Sequence, residues 1–402
     1  MTTNHPLIKY GLFCFITGTT IGFATVNNLT IAIIPYLRSV MLAIAALVLL
    51  IWASGFKINR RILLSFTLLI FMNLYGTIRG LDNLSYLNYL PDLVVSTIVV
   101  LTGLAYFGIS ESERSQLTVA IYLVIFAAVW FLLLVFTGGL NLTTMAFDFQ
   151  VYSRDGRYIL YSQGISKFYG FAAIVAIWVA QKVNHIGGKN TVYILSFVFI
   201  SLSFLGGGRG DFLALIIVIV LMGFLSSLRG ALFSLVIVFI VFFFFFECVP
   251  KLSDNIIAAQ RFVVILTGST FGLRDILFNE SLHIISNESN CFLFGCGFTY
   301  FQEYYGYSYG MYPHNILLEA AIVWGVPLVL FVISLFALGF AKSGRGKFLS
   351  WIGIFFVLLG MKSGDVLGSW FALSFIYFYA GVGLSALVGS SRLLRRRGGM
   401  RE

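Results

Sequence analysis

The stretch GMYPHNILLEAAIVWGVP, residues 310–327, sets His314 beside Asn315 at the mouth of an apolar run, which carries Glu319 one helical turn further on. Pro313 suits the first turn of a helix, so the sequence predicts a helix beginning here. The positive end of that helix disfavours an imidazolium and leaves the His314 ring neutral, able to accept a proton. A carboxylate at the depth of Glu319 is costly and needs a partner or a task. The plainer reading makes His314 an interfacial polar residue, with Asn315 and Glu319 a pair that steadies one helix face. His5, His185 and His283, the other histidines, show neither an i, i+4 partner nor Cys/His spacing, so the sequence predicts no metal site.

Guanidinium groups supply the second chemistry. Arg209 lies in LGGGRGD, a near-loopless connection between two apolar runs. Its glycines allow close backbone approach, and exposed amides beside an arginine could bind an anion. A tight turn with an arginine snorkelling to lipid headgroups is the alternative. Arg154 and Arg157 bracket Asp155 in SRDGR, and Arg274 opens RDILFNESLHII beside Asp275, with Arg261 upstream. Each could be a local ion pair; together they offer bidentate donors suited to phosphate. The glycine stretch is not a phosphate loop of the G-x-x-x-x-G-K-[ST] kind, and its Arg-Gly-Asp lies too close to an apolar run for an adhesion ligand.

The elements that must carry these residues are membrane helices. Hydrophobic residues make up 59% of the 402-residue chain and charged residues 10%, and the mean hydropathy is +0.95. Soluble domains are nearer half apolar and a quarter charged. The first apolar run, 10–26, lacks a small-x-small cleavage site and reads as an uncleaved first helix. Spans at 8–26, 31–55, 62–78, 91–109, 117–137, 164–181, 191–205, 211–228, 230–246, 313–341, 348–363 and 367–389 give an all-α, polytopic integral membrane protein of about twelve helices. The chain reads as a single transmembrane domain, 1–402.

Charge sets the orientation. Lys9, Lys57, Arg60, Arg61, Arg114, Lys182, Lys189, Arg229, Lys342, Arg345, Lys347 and the arginine-rich tail fall on one side. Arg79, Arg154, Arg157, Lys167, Arg209, Lys251, Arg261, Arg274 and Lys362 fall on the other, while Arg38 lies within a span. The first, larger group is expected in the cytoplasm, with both termini. The net charge of +10 then reads as topology and as an anchor to anionic lipid, not as nucleic-acid binding. Two long loops face outward, 138–163 and 247–312, and the second is expected to be partly helical, with apolar spacing from Ile276 to Ile285. CFLFGC could close a small disulfide loop on that side, though the spacing alone does not require it.

Three ordered blocks now resemble a known family. FLGGGRGDFLAL, RDILFNESLHIISNESNCFLFGCGF and HNILLEAAIVWGVP are similar to the signature blocks of the O-antigen polymerase/ligase superfamily, bacterial inner-membrane enzymes of polyprenyl-pyrophosphate-linked glycans. The resemblance covers 203–327; the first half of the chain matches only in hydropathy and in an arginine-bearing loop. It implies His314 as catalytic base and Arg209 and Arg274 as pyrophosphate ligands, with Arg154, Arg157 and Arg261 as looser candidates. It implies an inverting glycosyl transfer at the periplasmic face, between an undecaprenyl-pyrophosphate-linked donor and a lipid-linked acceptor, with no cofactor, and a chain-length regulator as partner. Ligases of the family show Gly, Thr or Tyr where this chain has Leu328, which favours a polymerase. A ligase acting on lipid A core is the alternative, and a flippase is a third reading, disfavoured because charge other than Arg38 gathers at span ends and loops.

Overall fold

The computed structural model describes residues 6–53, 59–83, 86–109, 113–141, 146–147, 151–152, 158–159, 164–183, 185–226, 273–308, 311–343 and 347–398, with isolated positions between 227 and 272. It is an all-α, multi-pass membrane protein: eight of its described helices are long and apolar enough to span a bilayer. The chain divides into two compact units, one from 1–51 and 112–270, the other from 52–111 and 271–402.

The first unit contains α1 (Pro6–Thr20), α2 (Asn28–Ala53), α5 (Glu113–Phe136), α6 (Gly164–Lys182), α7 (Ile186–Leu205) and α8 (Arg209–Ser226). The first run, expected to be helical to residue 26, ends its α-helix at Thr20 and closes in a 3₁₀ turn, Ile21–Phe23. Its centre is α6, of whose span 78% is buried, against 17% for the α2 span. Val40, Leu47 and Leu50 of α2 are exposed, as lipid-facing side chains are. The loop at 138–163 contains two short antiparallel ladders: Leu140–Asn141 with Ala146–Phe147, and Val151–Tyr152 with Tyr158–Ile159. The span expected at 230–246 lies outside the continuously described residues.

The second unit contains α3 (Arg60–Arg79), α4 (Tyr86–Ile109), α9 (Leu273–Asn287), α10 (Ser289–Phe294), α11 (Tyr300–Tyr305), α12 (Ile316–Trp324), α13 (Val326–Ser343), α14 (Phe348–Ser363) and α15 (Trp370–Gly398). Helix α15 is its centre and packs on α13, α3, α4 and α14. The helix expected over 276–285 is α9. Its inner face, Leu277 and Ile284, joins Cys291, Phe301 and Ile322 in a small core that seats α9–α11 on α12.

The expected single span 313–341 is instead two helices. Trp324 ends α12, Gly325 takes a left-handed φ of 84°, and Pro327 sits in the first turn of α13. The Gly-x-Pro spacing thus stops one helix and starts the next. The break is held from outside: the Cys296 and Gly297 amides donate to the Ile322 and Val323 carbonyls, at 2.7 and 3.1 Å. These are last-turn carbonyls with no partner inside their helix. Cys291 and Cys296 are disulfide-bonded, closing the small CFLFGC loop that the spacing alone had left open. A Cβ on Gly325 would sit 2.8 Å from the Gly295 amide nitrogen, so backbone meets backbone here.

Candidate functional site

With its far end clasped in this way, α12 presents its N-terminus beside α9 and the turn between α14 and α15. Asn315 is the N-cap, so Pro313 does not lie in the first turn: the Asn315 side chain accepts from the Leu317 and Leu318 amides at 2.9 and 3.2 Å. Pro313 therefore lies before the helix, and His314 occupies the position preceding the cap. Asn315 and Glu319, expected to pair with each other, are engaged elsewhere, Asn315 Oδ1 in the cap and Glu319 Oε2 at Val366. Glu319 is buried and accepts from the Val366 amide at 2.8 Å.

His314 has φ 55°, and only one other described non-glycine residue, Thr299, is left-handed. That region costs an L-residue about 1–2 kcal/mol. Such a geometry persists where the surroundings over-determine it. Here they are Pro313 on one side and the capping Asn315 on the other. The His314 ring lies against Tyr312, centroids 4.3 Å apart at 51°.

Tyr312 connects the cluster. Its hydroxyl lies 3.5 Å from the Ser363 carbonyl. Burial, then the Asp365 and Glu319 carboxylates, raise its phenol above the usual range, and Arg274 opposes them. Glu319 lies on α12, ahead of the candidate span Val326–Ser343. Burial, and then Asp365, push its carboxyl up to about 8, against the stabilising Val366 amide. Arg274, Tyr312, His314, Glu319 and Asp365 thus form one group: a cation, an imidazole, a phenol and two carboxylates, of which Glu319 favours its neutral form.

Arg209 belongs to the first unit. It is the first residue of α8, half-buried, following Gly207 at φ 70°. The glycine turn docks on the start of α6: the Gly208 amide donates to the Ser166 hydroxyl at 2.8 Å, and Ser203 donates to the Ser166 carbonyl at 2.8 Å. A Cβ on Gly206 would lie 2.5 Å from that hydroxyl. A cation in a first turn opposes the helix dipole, so the stability of α8 does not select Arg209; the buried Asp211 in the same turn offsets it. Two further cations face the 3₁₀ turn of this unit. Lys167 stands 5.2 Å from the Phe23 ring. Arg38, left unassigned by the sequence, has Nη1 3.5 Å from where a Gly22 Cβ would be.

Arg274, His314, Asn315 and Glu319 are therefore gathered in one unit, and Arg209 stands in the other. Arg154, Arg157 and Arg261 lie outside the described residues. Sequence reasoning missed Tyr312, Asp365 and Ser166. Asp365 had a signal, a lone acid in the short polar break KSGDVLGS between two apolar helices. Tyr312 and Ser166 had none beyond nearness to a motif.

Fold and site together define a polytopic helical membrane protein with a half-buried acid–imidazole–guanidinium cluster beside a short capped helix. Comparison with family models, curated proteins and solved structures finds no match that would refine that class.

Proposed function

We propose that the protein is a polymerase of surface polysaccharide, transferring a growing glycan from polyprenyl pyrophosphate to a lipid-linked repeat unit at the periplasmic face of the bacterial inner membrane. The observation that carries this reading is His314: an imidazole held in left-handed backbone, against Tyr312 and in the same cluster as Arg274. A cap residue or a snorkelling side chain would not need that conformation.

An acceptor sugar hydroxyl attacks the anomeric carbon from the face opposite the leaving group. The new glycosidic C–O bond forms as the C–O bond to pyrophosphate breaks, and configuration inverts. His314 takes the hydroxyl proton, a role worth about 10²–10⁴-fold. Arg274 meets the negative charge that grows on pyrophosphate, where a fixed cation in a water-poor site is most effective. Arg209 holds a lipid phosphate on its own unit. Its guanidinium, which the glycine turn sets at the start of α8, is the right donor for that task. The orientation assigned to the site rests on the positive-inside charge pattern.

The test is His314→Gly, which keeps the left-handed backbone and removes the ring. In a null strain complemented with this variant, the polysaccharide ladder on a gel is expected to fall by about 10²-fold or more, with single repeats retained on the acceptor. Purified variant should unfold at a midpoint equal to or above wild type. An intact ladder overturns the assignment of the base. A null strain that lacks even single repeats assigns the protein to ligation.

A further inference from the structure

Beyond the His314 cluster, α9–α11 and the turn after α11 carry a second group of side chains that the reaction does not use. Tyr300, Tyr304, Tyr305 and Tyr307 form a continuous row of rings, with successive centroids 5.7, 4.9 and 5.9 Å apart. Phe301, buried in the small core beneath, touches Tyr305 and Tyr307 at 5.5 and 5.9 Å. The row is therefore seated on a hydrophobic base.

Its polar edge is fixed too. The Tyr307 hydroxyl donates to both oxygens of Glu280, at 2.9 and 2.8 Å. Tyr305 reaches the Glu280 carbonyl at 3.1 Å and His283 Nδ1 at 3.4 Å, and Tyr304 reaches Glu288 at 3.5 Å. The hydrogen bond to Glu280 keeps the Tyr307 phenol protonated above its usual range. With its neighbours tied down in this way, Tyr304 still leaves 40% of its surface exposed.

A row of rigid aromatic rings edged by carboxylates suits a particular kind of ligand. The C–H face of a pyranose is weakly positive and stacks on the negative face of an aromatic ring. Its equatorial hydroxyls donate to carboxylates, which retain acceptor sites beyond those used by one phenol. Tyrosine provides this contact at small entropic cost because little rotamer freedom remains to be lost. A lipid-headgroup belt would also place tyrosines at an interface, but it has no need of carboxylate acceptors along the edge of the row. This patch carries Glu280 and Glu288, whose carboxylates repel phosphate headgroups.

We infer that the Tyr300–Tyr307 row, with Glu280 and Glu288, is a saccharide-binding platform that holds the glycan chain of a substrate away from the reacting centre. This deepens the polymerase reading and rests on it for the identity of the glycan, but the binding itself does not depend on catalysis by His314.

The experiment titrates the detergent-solubilised full chain with the oligosaccharide released by mild acid from the surface polysaccharide of the producing cell. Binding is followed by saturation-transfer NMR. Wild type and Tyr304→Phe are expected to saturate alike, and Tyr304→Ala to bind about tenfold more weakly. Tyr304 stands outside the core, so the alanine variant should keep the wild-type unfolding midpoint. Equal binding by wild type and Tyr304→Ala overturns the platform. So does weaker binding by Tyr304→Ala of a soluble short-chain anionic phospholipid with oligosaccharide binding unchanged, which would make the patch a lipid contact. His314→Gly separates the two readings: its oligosaccharide binding should equal wild type. If its ladder persists while Tyr304→Ala loses the sugar, the platform stands and the catalytic base falls.

Discussion

At the scale of single residues, the unusual facts gather on three consecutive positions and one carboxylate. Pro313 leads in, His314 turns left-handed, Asn315 caps α12, and Glu319 reaches across to Val366. Only the cap is a routine helix device, worth about 1 kcal/mol. Glu319 has a direct consequence for pH. Its carboxyl titrates higher in the fold than in the unfolded chain, because burial and then Asp365 disfavour the charge. Below the ordinary carboxylate range both states are protonated and Glu319 adds no pH dependence. As pH rises toward about 8 the unfolded chain ionises freely and the fold does not, so stability falls. The unfolding midpoint of the purified protein should therefore drop by several degrees between the ordinary carboxylate range and about pH 8, and level off above it. In Glu319→Gln, which still offers an oxygen to Val366, that slope should flatten. A variant with the wild-type slope would rule out Glu319 as the titrating group.

Elements make the site possible through a clasp. The 295–297 segment donates two amides to the end of α12, and Gly295 and Gly325 meet backbone to backbone. Alanine at Gly325 would combine a positive φ of 84° with a Cβ 2.8 Å from the Gly295 nitrogen. A loss of roughly 2 kcal/mol or more is expected. Gly306 is the control: its φ is 68° but no atom lies within 4 Å of its Cβ position, so alanine there should cost only about 1 kcal/mol of strain. Comparable unfolding midpoints for the two variants would dismiss the clasp. This element also shows where sequence is legible. Gly-x-Gly, Gly-x-Pro and His-Asn were all visible, as was the apolar spacing that became α9. Hydropathy, however, cannot separate one span from two helices broken at Gly325, because both halves are equally apolar. Nor could a pattern in one segment reveal that the carbonyls at 322–323 find their donors near 296, or that the partner of Glu319 is an amide of the next interhelical turn. Pairings distant in sequence leave no periodic trace.

For the whole molecule, the strongest constraint is charge. The chain carries +10 with only 10% charged residues, and its basic groups gather at helix ends and in the tail. Burial varies from 17% in the α2 span to 78% in the α6 span, so lipid-facing and central helices are both present. Depth in the membrane fixes which residues share a level, whereas the side each level faces follows from the positive-inside bias. On that bias the α9–α11 segment and the His314 cluster are expected to face the periplasm, and the C-terminal tail the cytoplasm. A green fluorescent protein fused after Glu402 should then glow, since that reporter folds poorly in the periplasm. Ser286, exposed on α9, supplies the complementary probe. In intact spheroplasts, Ser286→Cys in a Cys248→Ser background should react with a membrane-impermeant maleimide above the level of that background alone, whose Cys14 is buried and whose Cys291 and Cys296 are bonded to each other. Labelling of Ser286→Cys only after permeabilisation, with a dark C-terminal fusion, would invert the protein. The cluster would then face the cytoplasm, and the periplasmic polymerase reading would fail whatever His314 does.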